Sequence, residues 1–198
     1  MNSEMLHFLL LPCVVIGLTV FGLFCLRMYR FSNFTVDDAS SHCIKINYFR
    51  VRNTLHPDQD THLIRTLSPY RFRVFQRKRI GQSVEFLERM TRNARFLRYM
   101  GWNELHLSLQ SRDRQSRTTS QKLLVAAISC QVLGFALLVK LHLWMFRMAL
   151  LPFITPPNFA DLVRSGNLLY LYWRARKSAL SLARKYGDDV YARLAEAL

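Results

Sequence analysis

The sequence predicts an all-α integral membrane protein, two transmembrane helices flanking a basic, mainly helical loop domain, with an amphipathic C-terminal region. Three observations carry that prediction. Two long stretches, residues 6–26 and 123–146, are nearly free of charge, and the sequence between them is crowded with arginine. Beyond those blocks, apolar residues recur every three or four positions, the period of a helix laid against a surface. A mean hydropathy of +0.03 over 198 residues hides this division, because the blocks and the charged sequence cancel.

After a short tail (residues 1–5), the first block runs from Leu6 to Leu26 with only neutral His7 in it and ends at Arg27, Tyr29, Arg30 and Phe31. A helix needs about 20 apolar residues to cross a hydrocarbon layer of about 30 Å, and basic and aromatic residues mark the interface where it leaves. A cleavable signal peptide is the competing reading. Against it, the leading MNSEM carries Glu4 and no Lys or Arg, and no small-x-small site precedes Arg27. The absence of Arg before that position also argues against a mitochondrial transit peptide. Between Arg27 and Lys122 stand 19 basic and 8 acidic residues. Positive charge is retained on the cytoplasmic or matrix side, so the N-terminus is expected outside and the loop inside, where the sequon Asn33-Phe34-Thr35 escapes glycosylation.

Within the basic loop domain (27–109), IKINYFRV at 44–51 has the composition of a short strand, and Pro57 marks a turn. Ser68-Pro69 supplies an N-cap and a first-turn proline, predicting a helix over 69–80. A second helix is expected over 83–100. Ser83 would cap it, Val84, Leu87, Met90, Ala94 and Leu97 would form its apolar row, and Gly101 would stop it. Residues 110–121 contain no apolar side chain and read as a flexible linker. The second apolar block, 123–146, is interrupted by Lys140. A hairpin there would need Gly or Pro, and LVKLHLWMF has neither, so one helix is expected, with Lys140 reaching toward the outer interface. The C-terminal region would then share the side of the N-terminus, although residues 140–198 carry 9 basic and 4 acidic residues. A proline-containing interfacial segment (147–157) leads to amphipathic helices over 158–198. The first places Leu169, Tyr172, Trp173, Leu180 and Ala183 on one side as far as Gly187. A last short helix would be capped by Asp188 or Asp189.

The net charge of +15, with Arg supplying 22 of 28 basic residues, favours anionic partners. Candidate contact residues are Arg71, Arg73, Arg77, Lys78 and Arg79 in the first loop helix, Arg89, Arg92, Arg95 and Arg98 in the second, and Arg174, Arg176, Lys177, Arg184 and Lys185 near the C-terminus. Beside a membrane, each such charge gains about 1 kcal/mol from anionic lipid. The same Arg-aromatic composition suits RNA, but lipid is always at hand for an anchored chain. Asp37, Asp38, His42, Cys43, His56, Asp58, Asp60 and His62 have the chemistry of metal ligands, without a recognised ligand spacing. Cys13, Cys25 and Cys130 lie in apolar sequence, so no disulfide framework is expected. Ser120, in the run RQSRTTS, suits a basic-directed kinase. No GxSxG, P-loop or GxGxxG occurs, and no cofactor is called for.

The expected function is therefore non-enzymatic: a membrane-anchored scaffold or assembly factor whose Arg-rich loop and C-terminal helix bind partner proteins or anionic lipid. A viral or organellar protein tethering RNA or nucleoprotein to a membrane comes second, and a metal-dependent membrane enzyme third. The mitochondrial inner membrane and the endoplasmic reticulum fit the composition equally.

Overall fold

A computed structural model describes residues 34–47, 66–150 and 167–198, and these are helical, with no strand among them. The first expected span, the sequon's Asn33, the turn at Pro57 and the start of the C-terminal region near Asn158 lie outside the described residues. So do His56, Asp58, Asp60 and His62. The helices are α1 (Val36–His42), α2 (Pro69–Gln110), α3 (Arg114–Leu150), α4 (Asn167–Ala183) and α5 (Asp188–Ala197).

Two long helices dominate. Ser68 caps α2, and Pro69 opens it, as the sequence led us to expect. The helix then continues for 42 residues where two shorter ones were expected. Gly81 sits in it with open space around it, and its cost of about 0.5–1 kcal/mol relative to Ala is too small to break a helix held by packing. Ser83 is no cap: it is fully buried and donates from Oγ to the Arg79 carbonyl at 2.8 Å, a bond back along the same helix. Gly101 is no stop. A Cβ there would meet Leu123 at 3.2 Å, so this glycine lets α2 and α3 touch. Along α2 the expected apolar row faces inward, with Leu87, Met90, Ala94 and Leu97 buried and Val84 half-buried.

The expected linker is a turn of three residues. Arg112 takes a left-handed conformation (φ 56°), which reverses the chain. Asp113 then accepts from the N–H groups of Gln115 (3.0 Å) and Ser116 (3.1 Å) and starts α3. Residues 114–121 hold no apolar side chain, yet they are helical because that cap satisfies the first turn and because Ser116 and Ser120 pack inward. α3 runs unbroken for 37 residues through exposed Lys140, which settles for one helix and against a hairpin. Among the described residues it is the one helix long and apolar enough to cross a membrane, with a mean hydropathy of 2.1 over its apolar window.

α2 and α3 are antiparallel: Gly101 faces Leu123 and Leu124, Thr91 faces Gly134, and Arg77 reaches the Met148 carbonyl at 3.3 Å. α4 packs into the pair, with Leu168 near Gly134 and Ala175, Ala179 and Leu182 joining Leu123, Ala126 and Ala127 in one apolar cluster. Alanines and glycines at these contacts allow the backbones to approach closely. Phe34, Val36 and Ala39 of the α1 region, and Leu194 and Leu198 at the other terminus, close that cluster. α1 itself was not expected. Thr35 and Asp38 form a reciprocal capping box at its start, and the bonds hold the Asp38 carboxyl below its usual range.

The expected strand at 44–51 is absent over its described part, residues 44–47. One strand has no ladder to join, and a side chain takes its place. Asn93, fully buried, accepts from the Ile44 N–H and donates to the Ile44 carbonyl, each at 2.8 Å, and donates to the Tyr172 hydroxyl at 2.8 Å. The C-terminal division falls near its expected place. α4 passes into a single 3₁₀ turn (Arg184–Tyr186), and Gly187, at φ 112° and ψ 164°, turns the chain in a conformation open essentially to glycine alone. Gly187 itself occupies the cap position of α5, and Asp188 and Asp189 lie in its first turn.

Candidate functional site

From Leu123 onward α3 has two unlike faces, which the mostly apolar sequence there does not distinguish. One face carries the buried Leu123, Ala127, Cys130, Gly134, Leu137, Leu141 and Met148. The opposite face leaves Val125, Ile128, Val132, Phe135, Val139, Leu143, Phe146 and Leu150 exposed by 42–66%. Their spacing of three and four makes one continuous stripe, about 37 Å long at 1.5 Å per residue. Only 39% of the apolar window of α3 is buried inside the fold, far less than a core helix requires. Lys140 lies about 100° around the helix from Val139, at the margin of the stripe.

The predicted arginines of α2 do not form one surface. Arg71 and Lys78 are exposed, Arg73 is half-buried, Arg77 is spent on the Met148 carbonyl, and Arg79 is buried at 3% exposure, so the Tyr70–Ile80 run wraps around its helix. Its aromatics follow suit: Phe72 is buried, Phe75 half-buried and Tyr70 exposed, which leaves one open ring where base stacking would use several. Farther on, Arg89 pairs with Glu85, Arg98 donates to Gln131 Oε1 at 2.8 Å, and Arg92 and Arg95 stand exposed. The α2–α3 register sets Arg92 and Arg95 beside the middle of the apolar part of α3, as the Thr91–Gly134 contact shows.

The C-terminal cations divide more usefully. Arg174 is exposed apart from the rest, and Lys185 pairs with Asp113 at 2.7 Å. Arg176, Lys177 and Arg184 come together with Trp173, Leu180, Ser181 and Tyr191 around an open groove of about 400 Å³ between α4 and α5. Lys177 Nζ lies 5.4 Å from the Trp173 ring centre, and the Arg184 guanidinium lies 4.8 Å from that of Tyr191, so each cation rests on a ring face. Arg176 donates to the Ala195 carbonyl at 3.2 Å and fixes α5 against α4. No carboxylate lines the groove. Sequence reasoning named the three cations but missed the walls. It put Trp173 on the apolar side, whereas the ring is 51% exposed, and Tyr191 joins only because Gly187 turns α5 back. The Trp173–Lys177 spacing of four was the one legible signal.

Among the described residues no group of three or more His, Cys, Asp or Glu side chains is placed to hold a metal ion. Asp37 is paired with Arg193 at 2.6 Å, and His42 Nδ1 lies 2.8 Å from the Asp38 carbonyl. Burial pushes the Cys43 thiol up to about 12, leaving it protonated at neutral pH. Ser120, expected in a mobile linker, is fully buried inside α3 with no hydrogen-bond partner for Oγ, closed to a kinase in this fold. No family model, no curated protein and no solved structure matches the chain.

Proposed function

We propose that the chain is a non-enzymatic, membrane-bound scaffold, whose helical bundle holds basic surfaces at a lipid interface for anionic lipid or partner proteins. The observation that carries this reading is the exposed stripe of α3: eight large apolar side chains in one line, on a helix of which less than half is covered. Contiguous apolar surface of that extent is stable against lipid or a partner and costly in water.

Two dispositions bring the stripe to lipid. α3 can cross the bilayer, as the second of two spans, or lie along the interface. Arg92 and Arg95 favour the second, since α2 runs beside α3 and a crossing pair would carry both to the hydrocarbon centre, at about 2.5–3.5 kcal/mol each. Lying flat, α3 meets the acyl boundary while the α2 arginines stay in water or at headgroups. Residues 6–26 supply the anchor in both cases.

The depth of three positions tests this. Val125→Cys, Phe135→Cys and Phe146→Cys, each in a chain whose four native cysteines are serine, are labelled with an environment-sensitive dye in phosphatidylcholine vesicles containing lipid-borne quenchers. Equal, shallow depths are expected. A deep Phe135 position between two shallow ones would replace the flat disposition with a crossing one, and no quenching at any position would overturn the membrane reading.

A further inference from the structure

We propose that the groove between α4 and α5 binds an anionic phosphate group borne on an apolar or glycerol stem, with the headgroup of an anionic phospholipid as its source. The proposal rests on the membrane reading for that source and deepens it by naming the site. Three cations from two separate turns of chain, Arg176 and Lys177 in one and Arg184 in the other, line one concavity with no acid among its lining residues. Lys177 and Arg184 stand at its rim with no carboxylate of the lining to offset them, and a bound anion relieves their repulsion.

Phosphate suits the donors. Arg184 offers a planar fork, Lys177 a point charge and Ser181 a hydroxyl, which matches a group with three or four acceptor oxygens better than one with two. The cations are also held in place. Trp173 and Tyr191 seat Lys177 and Arg184 on their ring faces, and the Ala195 carbonyl seats Arg176, so less side-chain freedom is lost when the anion arrives. The remaining wall, Leu180 and the edges of the two rings, is apolar. A bare ion would leave it wet, whereas the stem of a phosphate ester covers it. A volume of about 400 Å³ holds a glycerophosphate group and excludes a bilayer's worth of contacts, which separates this groove from a diffuse basic surface.

The test uses the full-length chain with Trp102 and Trp144 changed to Phe, so that Trp173 alone of the three tryptophans reports on the groove. In phosphatidylcholine nanodiscs its fluorescence is followed while phosphatidic acid or phosphatidylglycerol is introduced, and separately while soluble glycerol 3-phosphate or inorganic phosphate is titrated against sodium chloride of equal ionic strength. We expect a saturable change with the anionic lipids. Lys177→Gln and Arg184→Gln, both at exposed positions, should each weaken it about tenfold, and Arg174→Gln, which removes the same charge from the same helix outside the groove, should leave it unchanged. A response to the soluble phosphates at equal affinity keeps the phosphate site and transfers its source from lipid to solution. An equal loss with Arg174→Gln, or a response that chloride reproduces, would overturn the site in favour of diffuse charge, as would no response at all. If the stripe positions remain in contact with lipid while Trp173 reports nothing, the groove proposal fails and the membrane reading stands.

Discussion

Asn93 joins three parts of the molecule through one amide. Its carbonyl and NH₂ occupy both backbone groups of half-buried Ile44, and its NH₂ also reaches the Tyr172 hydroxyl inside the core. Asn93→Ala would remove these bonds from the Ile44 backbone groups and from the buried Tyr172 hydroxyl, at about 1–3 kcal/mol for each group that water cannot reach, and we expect a loss of about 2–4 kcal/mol in total. Thermal unfolding in detergent, followed by circular dichroism, measures it; a change below about 0.5 kcal/mol would place water at the site. The residue stands in the apolar row of α2, between Met90 and Leu97, where its neighbours are easily read as core. Its role is not legible, because the partners lie 49 and 79 residues away and a lone polar residue in a helix carries no mark of them. Cys43 and Ser120 show the same limit. Their residue types were plain in the sequence, whereas their burial, a tertiary property, was not.

At the scale of elements, what could be read were the features set by near neighbours in sequence: the Ser68-Pro69 start, the inward row of α2, the unbroken helix through Lys140, and the turn at Gly187. Glycine misled us because the same residue serves to end a helix or to bring two together. The two uses separate by substitution. Gly134→Ala would set a Cβ 2.5 Å from Thr91 Oγ1, and the repacking should cost about 1–3 kcal/mol. Gly81→Ala meets nothing within 4 Å and should stabilise α2 by about 0.5–1 kcal/mol. Opposite signs in the same unfolding assay are expected; a stabilising Gly134→Ala would mean that the helices are not held at this separation. Also beyond the sequence was the division of α3 into covered and open faces. From Leu123 onward apolar residues occur on every face of the helix, so the pattern records burial in something without saying whether that is protein or lipid.

At the scale of the whole molecule, ionic ties hold the C-terminal elements to the rest. Lys185 reaches Asp113 in the α2–α3 turn, and Arg193 reaches Asp37 in α1. The Lys185 ammonium, aided by the Ser116 hydroxyl and N–H, holds the Asp113 carboxyl well below its usual 3.8. A depressed carboxylate stabilises the fold above its unfolded value and ceases to do so as pH falls below that value toward the folded one. The stability advantage of the native chain over Asp113→Asn should thus be constant from neutral pH down to about 5 and vanish progressively below about 4. Melting temperatures of the two proteins across that range check the sign, and an advantage that grew on acidification would refute the assignment. Both ties are half-exposed, so added salt should weaken them as well.

The three-residue turn at 111–113 also sets an order of assembly. Contacts between α2 and α3 join residues close along the chain near that turn, and local contacts form early and fast. During synthesis the α2–α3 hairpin is complete before α4 has emerged. Until then Cys130, Gly134 and Leu137, which α4 later helps to shield, are open together with the outer stripe, so the nascent chain is stickiest midway through its production. A bilayer or chaperone present at that moment would meet an apolar surface wider than the outer stripe alone.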